Sequence, residues 1–226
     1  MAILYIVGTP IGNLEDISLR ALRILGEADF ILCEDTRVTA KLLARYGIKT
    51  PAISYHQHSD ANKEKRIIDL LASGKNLALV SDAGTPGISD PGGKLAGAVI
   101  EKFGDNVKIE SIPGPSAITA ALSISGMPAD KFIFMGFPPH KKGRQTFVKK
   151  IADSEYTAVA YESKHRIIKF LEELEKVLNP GARIVVCREL SKMHEAVYRG
   201  EIGEVIKKLK ENKNNQKGEF VVIVDK

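Results

Sequence analysis

Tryptophan is absent from this chain of 226 residues, and phenylalanine and tyrosine supply an aromatic content of only 6%. Proteins that stack single-stranded bases on an aromatic platform depend on such side chains, so this class of binding module is not favoured. Cysteine is equally scarce. Cys33 and Cys187 each lie at the end of an apolar run, which predicts two buried thiols in a reducing compartment rather than a disulfide framework.

Long apolar runs are also missing. No segment approaches the roughly 20 apolar residues that a bilayer-spanning helix needs. The first residues read MAILYIVG and lack the basic start of a signal peptide. We therefore expect a cytoplasmic protein that does not bind membranes.

Positive charge is in excess: 33 Lys and Arg residues against 28 Asp and Glu residues give a net charge of +5. This balance favours an anionic partner. Part of the charge is concentrated at Lys141, Lys142 and Arg144, next to Pro138 and Pro139, which predict an exposed loop. An exposed basic loop suits a nucleic-acid phosphate backbone, so these three cationic side chains are candidate RNA-binding residues.

Strand-like apolar runs alternate with helical stretches in the first half of the chain. The runs are 3–7, 30–33, 52–55, 77–80 and 107–112. Such alternation predicts parallel strands with helices on the two faces of the sheet.

The second half has a different order. Its strand-like runs are 132–135, 157–161, 183–187, 195–199 and 220–224. A short loop joins the third and fourth of these runs, which predicts an antiparallel pair and hence a mixed sheet. We predict an α/β fold of two lobes, 1–112 with a mostly parallel sheet and 113–226 with a mixed sheet.

Three turns rich in Gly and Pro follow strand-like runs. They are GTPIGN at 8–13, SDAGTPGISDPGG at 81–93 and PGPSA at 113–117. Such segments pack no core, but they bring bare backbone close to a ligand, because Gly has no Cβ and Pro restricts the chain. Ligands of parallel α/β sheets bind at the carboxyl ends of the strands, so the three turns predict one cleft.

The composition of the turns narrows the kind of ligand. No Gly precedes Lys-Ser or Lys-Thr at the spacing of a P-loop. A dinucleotide site stays open, because Glu34 and Asp35 follow the first turn at about the distance of a ribose-binding carboxylate. However, the turn at Gly8 is not G-x-G-x-x-G, and Pro10 removes an N–H that a pyrophosphate would need. We favour a ligand without pyrophosphate that backbone groups hold.

Several segments together resemble the tetrapyrrole-methylase superfamily, and within it the branch of small-subunit ribosomal RNA methyltransferases. The resemblance runs in order from residue 3 to about residue 224, and the combination is specific although each segment alone is weak. The segments are LYIVGTPIGNL at 4–14, EDTR at 34–37, SDAGTP at 81–86, PGP at 113–115, GFPP at 136–139, YES at 161–163, HR at 165–166, REL at 188–190 and KGE at 217–219.

The resemblance implies an enzyme that uses S-adenosylmethionine, with the cofactor in a cleft between two lobes, and usually a homodimer. The implied product is a 2′-O-methylated cytidine, so small-subunit ribosomal RNA or the assembled small subunit is the expected partner. The implied cofactor-binding residues are Pro10, Asp82, Gly84, Thr85, Ile88, Ser116, Ala117, Tyr161, Leu190 and Gly218. Members of this branch often continue beyond the last strand, whereas this sequence ends at Lys226. We therefore expect RNA affinity to come from the lobes and from 141–144.

A ribose hydroxyl needs a proton acceptor before it can attack a methyl group. Asp35 ends the second strand-like run near the expected cleft. Arg37 lies in the first turn of the next helix, where the helix dipole disfavours a cation, and Thr36 could cap that helix. We predict Asp35 as the general base and Arg37 as a clamp for a phosphate or carboxylate. A helix cap with a surface ion pair is the alternative.

His56 and His58 are two residues apart and would share one face of a strand. A metal site needs further ligands, and none is apparent nearby, so we predict no metal. His56 is a candidate base or RNA contact, and an exposed histidine without a role is the alternative.

Two other functions stay open on the sequence alone. A methylase of a corrin or porphyrin acid would also use basic residues, and an RNA-binding assembly factor could carry a vestigial cofactor site. Binding that weakens steeply with salt would indicate RNA rather than a tetrapyrrole. Measurable turnover would exclude the assembly factor.

Overall fold

A computed structural model of the chain describes residues 1–56, 61–90 and 92–225. The chain divides into two compact units, Met1–Ser116 and Ala117–Lys226. The boundary predicted from the sequence, between residues 112 and 113, lies in the same connection between the last strand of the first unit and the first helix of the second.

Strands and helices alternate along the first unit. The strands are β1 (Ile3–Val7), β2 (Phe30–Cys33), β3 (Ala52–Ser54), β4 (Leu77–Leu79) and β5 (Lys108–Ile112), and the helices are α1 (Leu19–Glu27), α2 (Thr36–Arg45), α3 (Ala61–Ala72) and α4 (Gly92–Phe103). The strands form one sheet in the order β3-β2-β4-β1-β5, and each described pair is parallel. The predicted parallel sheet is confirmed.

Apolar clusters cover both faces of the first sheet, and its three central strands β1, β2 and β4 are apolar along their length. In β2, the buried side chains of Ile31 and Cys33 belong to one apolar cluster, while Leu32 belongs to the other. Successive side chains of a strand point to opposite faces, so β1, β2 and β4 each contribute to both clusters. Burial also raises the pKa of the Cys33 thiol.

The second unit contains a mixed sheet. Its strands are β6 (Phe132–Phe134), β7 (Thr157–Ser163), β8 (Arg183–Arg188), β9 (Ala196–Gly200) and β10 (Glu219–Asp225), and its helices are α5 (Ala117–Ser125), α6 (Arg144–Ala152), α7 (Ile167–Glu175) and α8 (Ile202–Glu211). The order is β6-β7-β10-β8-β9. The pair β6–β7 is parallel, and the other three pairs are antiparallel. Both the mixed sheet and the β8–β9 hairpin were predicted.

One face of the second sheet packs against α6, α7 and α8. Phe170 of α7 and Phe220 of β10 are among the largest fully buried side chains of this core. On the opposite face, α5 packs against β10. None of the helices in the described ranges is long and apolar enough to cross a bilayer.

Candidate active site

The three glycine- and proline-rich turns of the first unit lie against one another at the carboxyl ends of β1, β4 and β5. Thr9 and Gly84 form an isolated antiparallel bridge, in which the Thr9 N–H donates to the Gly84 oxygen at 2.9 Å and the Gly84 N–H to the Thr9 oxygen at 3.1 Å. The Gly8 N–H donates to the oxygen of Ile112 at 3.0 Å. Residues 8–13, 81–90 and 113–116 are called the turn cluster below.

The contact between the turns that follow β1 and β5 requires glycine on both sides. A Cβ atom on Gly8 would lie 2.8 Å from the Cα atom of Gly114, and a Cβ atom on Gly114 would lie 2.7 Å from the oxygen of Gly8. These distances are shorter than any that real Cβ atoms make with backbone. The two glycines therefore allow the turns to touch.

Buried hydroxyl groups hold the turn that follows β4. Thr9 is 3% exposed, and its Oγ1 donates to the oxygen of Ser81 at 3.1 Å. The Ser81 hydroxyl, also buried, donates to the oxygen of Ala83 at 3.2 Å. Gly84 follows with φ +79, in the left-handed region that glycine adopts readily. Because the buried carbonyl groups already have partners, the turn keeps its shape without a ligand.

The outer side chains of the turn cluster offer apolar and acidic contacts. Ile88 is 49% exposed, Asp82 is exposed and Thr85 is half-buried, whereas Pro10 is buried. One carboxylate oxygen of Asp82 accepts from the Asp35 N–H at 3.1 Å. An exposed apolar side chain, a carboxylate and bare backbone in one turn suit a ligand with an aromatic ring and hydroxyl groups. These residues therefore fit the adenosine part of S-adenosylmethionine.

Asp35 caps helix α2. Its Oδ1 accepts from the Arg37 N–H at 2.8 Å, so Thr36, the first residue of the helix, is not the cap that the sequence suggested. The Arg37 guanidinium also donates to both carboxylate oxygens, at 2.6 Å from Nη2 and 3.0 Å from Nε. These hydrogen bonds lower the pKa of Asp35 to about 2.

The alternative of a cap with a surface ion pair is thus the arrangement that forms at Asp35. A carboxylate with so low a pKa is a weak proton acceptor. Arg37 is exposed, but Asp35 already occupies its guanidinium. The geometry therefore gives no support to Asp35 as the base, and it makes the two residues a pair that shapes the start of α2.

Glu34, one residue earlier, is in a different environment. It directly follows β2 and is half-buried, and within the described residues its carboxylate forms no hydrogen bond or ion pair. Burial raises its pKa, and the nearby carboxylates of Asp90 and Asp82 raise it further. Asp90 itself is held in place, since its Oδ1 accepts from the N–H groups of Gly87 at 2.6 Å and Gly92 at 2.7 Å. Glu34 is therefore the more basic carboxylate at this edge.

His56 follows β3 at the same edge of the sheet and is half-buried. His58, its suggested companion, lies outside the described residues. Within the described ranges, no group of three or more His, Cys, Asp or Glu side chains could hold a metal ion. The role of His56 as a base or RNA contact stays a prediction.

The cofactor residues predicted in the second unit meet at one edge of its sheet. Tyr161 lies near the end of β7, Leu190 follows β8 and Gly218 precedes β10. Burial raises the pKa of the Tyr161 hydroxyl to about 12, with a smaller contribution from Glu219. Gly218 has φ +100, in the left-handed region that favours glycine, and a Cβ atom there would also clash with the Glu189 side chain. Leu190 is 7% exposed, and a ligand could reach only a small part of it.

Ser116 and Ala117, the remaining predicted cofactor residues, are half-buried where β5 leads into α5. They occupy the point at which the two units divide. Their contact with the cofactor stays a prediction.

The basic loop is only partly as predicted. Lys141 and Lys142 are exposed, but Arg144 is 5% exposed and lies in an ion-pair network. Its Nε atom is 2.7 Å from Oε2 of Glu173, and its Nη1 atom is 3.6 Å from Oε2 of the buried Glu162. The assignment of Arg144 as an RNA contact is therefore wrong, because its charge is held inside the unit.

Sequence reasoning missed what Arg144 does in this network. Its Nη1 donates to the oxygen of Pro139 at 3.3 Å, and Nη1 of Arg166 donates to the oxygen of Pro138 at 3.0 Å. The buried Arg144 and the half-buried Arg166 thus hold the loop that presents Lys141 and Lys142. A basic residue inside a basic run carries no signal of burial, so only the fold could reveal this role.

The model of the tetrapyrrole (corrin/porphyrin) methylases matches residues 3–206 of the chain. The chain belongs to this family. The match covers both units and each turn of the turn cluster, so the family that the motifs indicated is confirmed.

Two curated relatives of this methylase are both described as ribosomal RNA small subunit methyltransferase I. The relative from Synechocystis sp. is 44% identical over 99% of this chain and 79% of its own length. The relative from Thermotoga maritima is 41% identical over 99% of this chain and 98% of its own length. Among solved structures, uroporphyrin-III-C-methyltransferase from Thermus thermophilus matches with a TM-score of 0.69 and 21% identity, over 99% of this chain and 94% of that one. The last likeness confirms the fold alone.

Proposed function

We propose that this methylase transfers the methyl group of S-adenosylmethionine to the ribose 2′-oxygen of a cytidine in small-subunit ribosomal RNA. The observation that carries the proposal is nearly full-length identity of 41–44% to relatives described as ribosomal RNA small subunit methyltransferase I. The turn cluster supports it independently, because its exposed apolar, acidic and backbone groups suit a nucleoside. A tetrapyrrole substrate is less favoured, since the solved uroporphyrin methyltransferase shares only 21% identity.

In this proposal the residues of the turn cluster bind the cofactor. The exposed Ile88 side chain would contact the adenine ring, and the second carboxylate oxygen of Asp82 would accept from the ribose hydroxyls. When bound, S-adenosylmethionine supplies an activated methyl group on a sulfonium ion. The chain contributes by holding the acceptor oxygen in line with that methyl group, and such positioning can supply a large part of a rate enhancement.

Glu34 is the proposed general base that accepts the proton of the ribose hydroxyl. It lies at the carboxyl end of β2, beside β4 and its turn, and its carboxylate is not held by an ion pair among the described residues. A raised pKa makes it a better acceptor for the ribose proton than Asp35. Asp35 and Arg37 act as a positioning pair that orients the start of α2 and, through the Asp35 N–H, the carboxylate of Asp82.

The exposed Lys141 and Lys142 would contact RNA phosphates. The carbonyl groups of Pro138 and Pro139 are fixed by Arg166 and Arg144, so the loop is held in one conformation. A preorganised loop loses less conformational entropy when RNA binds.

We also propose that the enzyme works as a homodimer in the cytoplasm, where ribosomal subunits are assembled. The family resemblance supports the dimer, and the ribosomal substrate supports the location. Sedimentation equilibrium of the purified chain tests the first point.

The proposed function is tested by tritium transfer from labelled S-adenosylmethionine to small ribosomal subunits that lack the modification, or to their free RNA. We expect label at one linkage that resists alkaline cleavage, because a 2′-O-methyl group blocks attack on the neighbouring phosphate. Gly84→Trp should abolish the transfer. Label at an alkali-sensitive position would move the target to a base, and no transfer to RNA would point to a tetrapyrrole.

A further inference from the structure

A small pocket in the first unit is not used by the mechanism above. It has a volume of about 260 Å³ and lies beside β3, the edge strand of the first sheet. Its walls are the three residues of β3 together with Lys63 and Arg66 of α3. Two cationic side chains therefore line one cavity.

The edge strand adds backbone donors to this pocket. The Ile31 N–H donates to the oxygen of Pro51, and the Tyr55 N–H donates to the oxygen of Cys33. Peptide groups alternate in direction along a strand, so the N–H and C=O groups of Ala52 and Ser54 point away from β2, towards the open edge. The pocket thus combines the peptide N–H and C=O groups of the strand edge with a serine hydroxyl and two cationic side chains.

The charges of the pocket suit an anion. Among the described residues, Arg66 forms no ion pair or hydrogen bond. The acidic side chain on the same helical turn, Glu64, does not line the pocket, and it acts instead on the Tyr55 hydroxyl, whose pKa is raised first by burial and then by this carboxylate. The Arg66 guanidinium can therefore donate to an anion in the pocket, and the nearby positive charge of Lys63 adds to the attraction.

The position of the pocket indicates which anion it binds. The ends of β3 and of β4 lie at the same edge of the parallel sheet, with only β2 between them. Neighbouring strands are about 4.8 Å apart, so the backbones of β3 and β4 are about 10 Å apart. A few linked nucleotides span this distance. A nucleotide at the turn cluster would place a neighbouring phosphate near Lys63 and Arg66.

We propose that the pocket of Ser54, Lys63 and Arg66 binds a phosphodiester of the substrate RNA next to the methylated nucleotide. The inference rests on the proposed function, since it takes RNA as the substrate. It assigns α3 and the β3 edge a part in orienting the RNA chain, in addition to the basic loop of the second unit.

The test is the double variant Lys63→Gln/Arg66→Gln, which keeps side-chain length and removes both charges. Binding of a small-subunit RNA fragment is measured without cofactor, over a series of salt concentrations. We expect the Kd to rise about tenfold, since hydrogen bonds to charged groups contribute strongly. We also expect the slope of log K against log salt to become less steep by about 0.7–1, as for the loss of one phosphate contact.

A matched control is Arg45→Gln/Lys102→Gln. These cations lie in the last turns of α2 and α4, towards the opposite edge of the sheet, and the charge change is the same. The control should keep the RNA affinity and salt slope of the parent protein. The charge-preserving variant Lys63→Arg/Arg66→Lys should keep most of the affinity, which separates a charge effect from a folding defect.

Equal RNA affinity and equal salt slope for the parent and the Lys63→Gln/Arg66→Gln protein would overturn the proposal. Weaker binding of a carboxylated porphyrin, with RNA binding unchanged, would also overturn it and assign the pocket to carboxylates. Failure of the proposed function is a separate result, because it is measured as absent methyl transfer by the parent protein.

Discussion

Glycine residues in the turn cluster are required for two different reasons. At Gly8 and Gly114 there is no room for a Cβ atom, because each position touches the backbone of the other. At Gly84 the nearest atoms to an added Cβ, Cγ2 of Ile11 and the oxygen of Pro115, are 3.6 Å away, which is ordinary contact. There the backbone conformation is the constraint, with φ +79.

Gly84→Ala should therefore fold and yet bind S-adenosylmethionine more weakly. The left-handed conformation costs an L residue about 1–2 kcal/mol, and the new methyl group narrows the turn that the cofactor contacts. The matched control is Gly74→Ala, at φ +87 with open space around it. Gly74 lies between α3 and the amino end of β4, whereas the turn cluster follows the carboxyl ends of the strands. Both variants should lose similar stability in thermal unfolding, but only Gly84→Ala should raise the cofactor Kd in calorimetry. Equal cofactor affinity in the two variants would contradict the site.

Replacement of Glu34 by Gln should lower kcat by about 10²–10⁴, the range expected for loss of a general base. A base acts when deprotonated, and burial with Asp82 and Asp90 nearby raises the pKa of Glu34. The acid limb of the kcat profile should therefore lie above the usual glutamate range in the parent protein and disappear in Glu34→Gln.

Asp35→Asn is the control for Glu34, because its remaining side-chain oxygen can still cap α2 and accept from the Arg37 N–H. We expect a loss of less than about tenfold in kcat, with the acid limb retained. A larger loss in Asp35→Asn than in Glu34→Gln would exchange the two roles.

Among the secondary-structure elements, the start of α6 is joined to β7 and α7 through buried charge. Glu162 of β7 is 1% exposed, and its Oε1 atom forms an ion pair with Nη2 of Arg166 at 2.8 Å. Within the described residues, its Oε2 and the Nη2 of Arg144 lack hydrogen-bond partners. The network therefore holds the loop before α6 in place, while its charges are only partly satisfied.

Glu162→Gln should lower the free energy of unfolding by about 3–5 kcal/mol, since it leaves the buried Arg144 and the half-buried Arg166 without their shared carboxylate. Glu172→Gln is the matched control. It breaks an exposed pair with Lys210 and should cost about 0–1 kcal/mol. Urea denaturation measures both. Equal loss in the two variants would show that the network contributes no more than a surface ion pair.

For the molecule as a whole, the excess of basic over acidic residues should appear in the salt dependence of RNA binding. If Lys63, Arg66, Lys141 and Lys142 each neutralise one phosphate, log K should fall with log salt at a slope of roughly −3 on single-stranded RNA. Filter binding between low and physiological salt gives this slope. A slope near zero would contradict an RNA substrate, whereas cofactor binding should hardly change.

The order of strands and helices was predictable from the sequence because it depends on local patterns. Apolar runs with Gly and Pro between them located the strands of both units, and the resemblance of the turns located the family. The parallel pairing followed from the same alternation, since strands joined through a helix run in one direction.

The tertiary structure decided which charged side chains are available. Arg144 and Lys142 are neighbours in one basic run, yet one is buried among carboxylates and the other is exposed. Glu34 and Asp35 are adjacent, yet only Asp35 has an arginine partner. Sequence states which groups are present, but burial and pairing depend on contacts between segments far apart in the chain. The same type of charged side chain can therefore act as a catalytic base, as a helix cap or as a partner in a buried ion pair.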